Sequence, residues 1–379
     1  MTEETALFWL ASMYELGTSR QNKLLEHFGC ALEIFRAKSA ALCEILKEDI
    51  IEKLLSKRDE NIIQRDLEFF NKQGFRFVGR SNEEYPVGLS NIKGEPCGLF
   101  VNGKIPKGRF VAIVGSRSCT EYGVRTAMRF AYEISKAGYF VISGMARGID
   151  THAAQGALNA GVPQVAALAC GLDICYPPEN KNLMRAISEQ GAIISEYPLG
   201  VEPRAFHFPL RNRIISGVSS IVLVVESGKR SGARLTCDAA LEQGREVWAI
   251  PGNITSPSSE GSNLLIKSGA IPALSPAEII EALQKAPEIK NESKQKKARK
   301  PKQESKPELN PNNLPSLEKM AQLSQTEKLL YDAIDYSPRT LEEIIEKTGI
   351  ALQDASEPMF ILEIGGFITR GPGQTYIKL

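Results

Sequence analysis

A chain of 379 residues, 42% apolar and 24% charged, has room for two or three domains and a full core. Its formal net charge of +1 excludes a globally basic surface, so any contact with a polyanion must come from local clustering. No apolar run approaches a membrane span, no secretory signal opens the chain, and seven scattered cysteines without a Cys-x-x-Cys pair read as the reduced thiols of a cytoplasmic protein.

Residues 1–63 read as a small helical domain. Leu7, Leu10 and Met13 share a face, Gly17 breaks the pattern, and Leu24, Leu25 and Phe28 resume it before Gly29. Short helices punctuated by glycine suggest a SAM-like or helix-hairpin-helix bundle. The turn at Gly17 lacks a second glycine for DNA-phosphate contact, which favours packing or protein contact.

From 64 to 285 the pattern alternates. Apolar runs at 110–115, 139–143, 164–169, 192–195, 220–225 and 246–250 are separated by helical stretches such as 124–136, 153–160 and 235–243. Continuous apolar strands between helices predict an α/β fold with a doubly wound, mostly parallel, Rossmann-like sheet. Ligands of such sheets sit outside the carboxyl ends of the strands. The first strand empties into Gly115-Ser116-Arg117-Ser118 and the second into Ser143-Gly144-Met145-Ala146-Arg147-Gly148-Ile149-Asp150. The fifth leads to Glu226-Ser227-Gly228-Lys229-Arg230-Ser231-Gly232, with Thr236 just inside the next helix. Small residues admit an anion to the backbone amides, and Arg117, Arg147, Lys229 and Arg230 add charge on the same edge.

Between the fourth and fifth strands, Phe206 to Gly217 reads as a turn rich in aromatic and basic residues, or else as a helix N-terminus whose arginines pair with nearby carboxylates. Arginine offers phosphate a planar charged fork, and a phenylalanine offers a base a stacking face. Arg213 either joins that rim or holds the turn through a carboxylate such as Glu196 or Glu226. Asp150, His152, Glu196 and Glu226 are the available acids and bases, each better explained as a cap or ion-pair partner. Neither a dinucleotide Gly-x-Gly-x-x-Gly, nor a Walker loop, nor a Gly-x-Ser-x-Gly elbow is present. Three histidines far apart and unclustered carboxylates speak against a metal site. Binding without cofactor, metal or catalysis is the expectation.

Residues 286–316 form a basic linker with no hydrophobic period, suited to diffuse nucleic-acid contact or to a solubilising tether. Order resumes over 317–379. Thr326 to Ile334 is one amphipathic helix, Thr340 and Glu343 make a capping box for a second, and Asp354 to Ile364 suggests a third. A hairpin around Gly371-Pro372-Gly373 completes a winged-helix pattern. Asp354, Glu357 and Glu363 on the third helix would repel phosphates, so protein contact is preferred to duplex reading.

In order, Gly115-Ser116-Arg117, Ser143 to Asp150, Ser195-Glu196-Tyr197-Pro198, Phe208-Pro209-Leu210-Arg211-Asn212-Arg213-Ile214-Ile215-Ser216-Gly217, Glu226 to Thr236 and Pro251 to Ala270 resemble the DprA/Smf family, over roughly residues 85–275. The resemblance implies a cytosolic protein that binds single-stranded DNA, passes it to the recombinase RecA during natural transformation, and works as a homodimer. By position, it implies DNA-binding roles for Ser116, Arg117, Ser143, Gly144, Arg147, Phe208, Arg211, Ser231, Gly232 and Thr236. Two positions depart from the family pattern. Ala205 stands where a basic residue is usual, with Arg204 beside it, and Ala154 replaces a histidine while His152 lies nearby. The competing class is a Rossmann-like phosphoribohydrolase, but Pro251-Gly252-Asn253-Ile254 lacks that loop's further glycines.

Overall fold

The computed structural model describes residues 1–286 except 91 and 230, and residues 323–334, 339–350, 354–355, 358–359, 361–362, 367–371 and 375–378. Beyond its first residue the basic linker of 286–316 lies outside them, as do Arg230, Pro372-Gly373 and much of the third terminal helix. Two compact units are present, Met1–Arg299 and Lys300–Leu379.

The first unit opens with six helices: α1 (Glu3–Ser12), α2 (Thr18–Phe28), α3 (Ala31–Arg36), α4 (Ser39–Leu42), α5 (Glu48–Ser56) and α6 (Glu60–Lys72). α6 starts on a side-chain cap, the Asp59 carboxylate accepting from the amides of Asn61 and Ile62. This helix runs straight through the expected boundary at 63/64. It also packs with α1 on the first two strands, β1 (Phe75–Gly79) and β2 (Gly98–Gly103). Phe8 of α1 meets Phe70, Phe77 and Phe100 with ring centroids 5.5–5.9 Å apart. One core cluster thus joins the N-terminal helices to the sheet, and the division at 63 is corrected: helices and sheet bury their apolar faces against each other.

Seven more strands and seven helices complete the unit: β3 (Phe110–Val114), α7 (Glu121–Lys136), β4 (Phe140–Ser143), α8 (Ile149–Asn159), β5 (Val165–Leu168), α9 (Lys181–Gln190), β6 (Ala192–Ser195), α10 (His207–Val218), β7 (Ile221–Val224), α11 (Ala233–Glu242), β8 (Glu246–Ala249), α12 (Glu260–Lys267), β9 (Ile271–Pro272) and α13 (Pro276–Lys285). The strand order is β1-β2-β6-β5-β4-β3-β7-β8-β9, parallel from β6 to β9, with β2 antiparallel to β6 and to β1. β3 to β7 are wholly buried except at Phe140, because helices cover both faces, which is why they read as unbroken apolar runs. The sequence switches from β6 to β7 across the sheet, so the topological crevice lies between β3 and β7.

The second unit contains α14 (Gln325–Ala333), β10 (Arg339–Thr340), α15 (Leu341–Thr348), β11 (Ile368–Gly371) and β12 (Thr375–Lys378). Capping boxes open both helices, Ser324 with Glu327 and Thr340 with Glu343. The strands form a three-stranded sheet in the order β10-β12-β11, and Leu330, Ile344 and Leu362 are buried in its core.

Candidate nucleic-acid interface

Of the two readings of this segment, turn and helix N-terminus, the structure has the second: it is a helix, α10. Its proline sits at the third helical position, inside the first turn, where the missing amide costs no intrahelical hydrogen bond. Ile214, Ile215 and Val218 on this helix are buried in the core below the sheet edge.

Arg211 is only 4% exposed. Its guanidinium Nη1 donates to the carbonyl oxygens of Gly144 (2.7 Å) and Ala167, at the ends of β4 and β5. A Cβ at Gly144 would lie 2.5 Å from that guanidinium, so the glycine leaves Arg211 its room. The buried Asp150 carboxylate accepts the Gly144 amide at 2.9 Å, and its charge balances Arg211. Burial pushes the Asp150 carboxyl up and the Arg211 guanidinium down, and each is partly offset by the other. Arg211 is therefore a strut beneath the rim, tying α10 to two strand ends. Arg211, expected to line a pocket for phosphates, thus lines the cleft from below with its guanidinium already engaged.

Above that strut a small cleft opens, lined by Arg117, Ala146, Arg147, Leu168, Tyr176 and Phe208 among others. Phe208 is half-buried, with the Arg117 guanidinium 5.2 Å above its ring and the Tyr176 ring 5.5 Å away. A cation over an aromatic face is held by the ring quadrupole. Arg117 is exposed and makes no ion pair among the described residues. Arg147 is exposed too, paired with the equally exposed Glu179, which raises the guanidinium pKa and lowers that of the carboxyl. Such a surface pair holds its partners weakly. Arg117, Arg147 and Phe208 are thus brought together, with Gly144 and Arg211 as the floor.

Other expected ligands lie elsewhere. Thr236 is 2% exposed inside α11 and Ser143 is buried. Ser231 uses its hydroxyl to accept the Ala233 amide at 3.3 Å, next to the exposed Gly232. The Ser116 hydroxyl donates to the Ser118 carbonyl at 3.0 Å. Some of the loop amides, expected to meet an anion, are already engaged. Thr120 gives its amide (2.9 Å) and hydroxyl (2.6 Å) to the buried Glu226 carboxylate, which seats itself at the start of α7 in the β3/β7 crevice. Gly123 makes room for that carboxylate. Gly144 and Ser118 are engaged likewise, the latter by the Ser116 hydroxyl. At these three positions the edge offers an anion no backbone amide, whereas the Arg117 and Arg147 side chains stand exposed beside them.

The four candidate acids and bases all have structural partners. Asp150 and Glu226 cap backbone, Glu196 pairs with Arg213, and His152 Nδ1 bonds Gln155 Oε1 at 2.9 Å. Among the described residues no three His, Cys, Asp or Glu side chains gather as a metal site. Sequence reasoning missed Tyr176 and Phe206. The first stands in a Tyr-Pro-Pro run with no periodic signal, and the second was overshadowed by Phe208 two positions on.

A model of the family described as DNA recombination-mediator protein A matches residues 76–284, and one of the DprA winged helix domain matches 315–374. "Protein Smf" of Synechocystis is 30% identical over 99% of both chains. "DNA processing protein DprA" of Streptococcus pneumoniae is 39% identical over 56% of this chain and 76% of that one. The X-ray structure of DNA processing protein A from Streptococcus pneumoniae covers 76% of this chain and 99% of that one, with a TM-score of 0.64 and 30% identity. A structure of DNA processing protein A from Helicobacter pylori, described by its single-stranded DNA binding mode, covers 56% of this chain and 96% of that one at 26% identity and a TM-score of 0.50. With an α/β sheet that is mainly parallel and a winged helix at its C-terminal end, this chain belongs to the DNA recombination-mediator protein A (DprA/Smf) family.

Proposed function

We propose that this protein binds single-stranded DNA without sequence preference at the Arg117–Phe208 cleft, and that it delivers the strand to RecA as a cytoplasmic homodimer during natural transformation. The observation that carries this reading is the exposed Arg117 guanidinium, without an ion pair among the described residues, over the half-buried Phe208 ring, with Arg147 on the same cleft. Phosphates attract the two guanidiniums, and the ring stacks on any base, since every base has a π-face. Arg147 reaches a phosphate by leaving Glu179, an exchange that a solvent-exposed pair permits at little cost.

Catalysis has no place in this reading: the buried carboxylates cap backbone, and the Pro251-Gly252 loop is clamped by Asn263, which bonds both the amide and the carbonyl of Gly252 at 3.1 Å. Release of base from nucleoside monophosphates incubated with the protein would overturn the non-enzymatic assignment. The binding site is tested by titrating oligo-dT at several salt concentrations. Arg117→Ala should reduce the slope of log K against log salt by roughly 0.7, one phosphate contact on a single strand. Phe208→Ala should weaken binding by about 1–3 kcal/mol. An unchanged slope and an unchanged affinity in these variants would sink the site.

A further inference from the structure

We propose that the groove on the other side of the first turn of α10 is a second subsite for the same DNA strand, with Phe206 as its stacking platform; this rests on the reading of the cleft as a single-strand site. Phe206 and Leu210 are 59% and 49% exposed, far more than the buried Phe8, Phe70 and Phe100 of the same unit. Four residues apart at the start of the helix, they lie one above the other on one face. Phe208 belongs to the cleft, whereas Phe206 and Leu210 line the groove. The start of α10 is thus a ridge with an aromatic on each flank. His207 anchors it from below, buried and stacked on Tyr197 at 4.3 Å.

The groove's far wall comes from α2 and the turn before it, and its exposed cations are Arg20, Lys23, Lys93 and Arg204. None of these four makes an ion pair among the described residues. The two other arginines of the groove are neutralised locally, Arg213 by Glu196 and Arg80 by Glu95. Of the groove's remaining carboxylates, Glu3 accepts the amides of Ala31 and Leu32 and keeps its charge, so Glu3, Glu15 and Glu26 stand against the four cations. The cations exceed the carboxylates by one, which suits a polyanion. The exposed apolar surface is confined to Phe206 and Leu210, enough for a base or two and too short a stripe for an amphipathic helix. A strand stacked on Phe208 that crosses the ridge past Arg204 meets Phe206 next.

The experiment is fluorescence anisotropy of labelled oligo-dT in a length series, with Phe206→Ala, Phe208→Ala and Arg204→Ala in the full chain. Phe206→Ala should bind the shortest competent oligomer like the parent protein and lose roughly 5- to 150-fold on long ones, the value of one stacked base. Arg204→Ala should lower the salt slope by roughly 0.7 on long oligomers alone. Phe208→Ala should weaken every length. If Phe206→Ala matches the parent at all lengths while Phe208→Ala is impaired, the second subsite is wrong and the cleft stands. An equal loss at every length would place Phe206 in the cleft and also overturn a separate subsite. Should both phenylalanine variants bind like the parent, the cleft reading fails and this proposal with it.

Discussion

Two arginines two positions apart on α10 end in different chemistry. Arg211 is buried on two backbone carbonyls, and Arg213 pairs with Glu196 and donates to the Thr18 hydroxyl at 3.2 Å. The residue pattern marks both as fit for phosphate, and only tertiary partners, 44 and 67 positions away in the case of Arg211, decide otherwise. Arg211→Ala should therefore act on stability first. It leaves the buried Gly144 and Ala167 carbonyl oxygens without this donor and Asp150 without its balancing charge, and each buried polar group left unpaired costs about 1–3 kcal/mol. Urea denaturation of this variant should show that loss. A variant as stable as the parent but weakened for oligo-dT would return Arg211 to the role of a direct ligand. Arg213, left open between two roles by the sequence, is held by the carboxylate named for it.

At the scale of elements, the parallel strands were legible because burial on both faces writes them as continuous apolar runs. The antiparallel extension was not. β1 carries Arg76, whose guanidinium pairs with Glu84, and β2 ends at Asn102 and Gly103, so neither reads as an apolar run. α10 was ambiguous for a different reason: its proline resembles a turn signal as much as a helix start, and its buried face combines arginine with isoleucine instead of a clean apolar stripe. The helix is also packed unusually close to the chain before β2. A Cβ at Gly88 would be driven into the Gly217 carbonyl oxygen, and Arg245 donates to the carbonyls of both glycines at 3.0 Å. Gly88→Ala should lower stability by about 1–3 kcal/mol, because the obstacle is backbone and cannot rotate away. Thermal or urea melting checks this, and a neutral effect would mean that α10 slides freely on that segment.

For the whole molecule, the chief revision concerns the N-terminal helices. Composition marks 1–63 as a helical module, yet α1 and α6 complete one face of the sheet through Phe8, Phe70, Phe77 and Phe100. Further ties reach the site itself: the Thr18 hydroxyl donates to Glu196 at 2.9 Å, so α2, the end of β6 and α10 share one polar knot. Such a shared core should unfold as one piece. The two tryptophans of the chain report on its opposite ends, Trp9 in α1 and Trp248 in β8. Single-tryptophan variants, Trp9→Phe and Trp248→Phe, should therefore give coincident urea transitions when each is compared with its own circular-dichroism curve. An earlier transition for Trp9 alone would make the N-terminal helices an independent module after all.

The carboxylate of Glu226 at the head of α7 has a consequence for selectivity. In a sheet of this class the crevice beside the first parallel strand is where a mononucleotide or dinucleotide ordinarily lodges its phosphates. Here the protein fills that seat with its own negative charge, fixed by two hydrogen bonds from Thr120. Free nucleotides, the commonest phosphate compounds a DNA-handling protein meets, are repelled from the place the fold would otherwise offer them. Exposed side chains such as Arg117 and Arg147 stand outside that seat, a surface on which a polymer can gain from many weak contacts at once and a single nucleotide from very few.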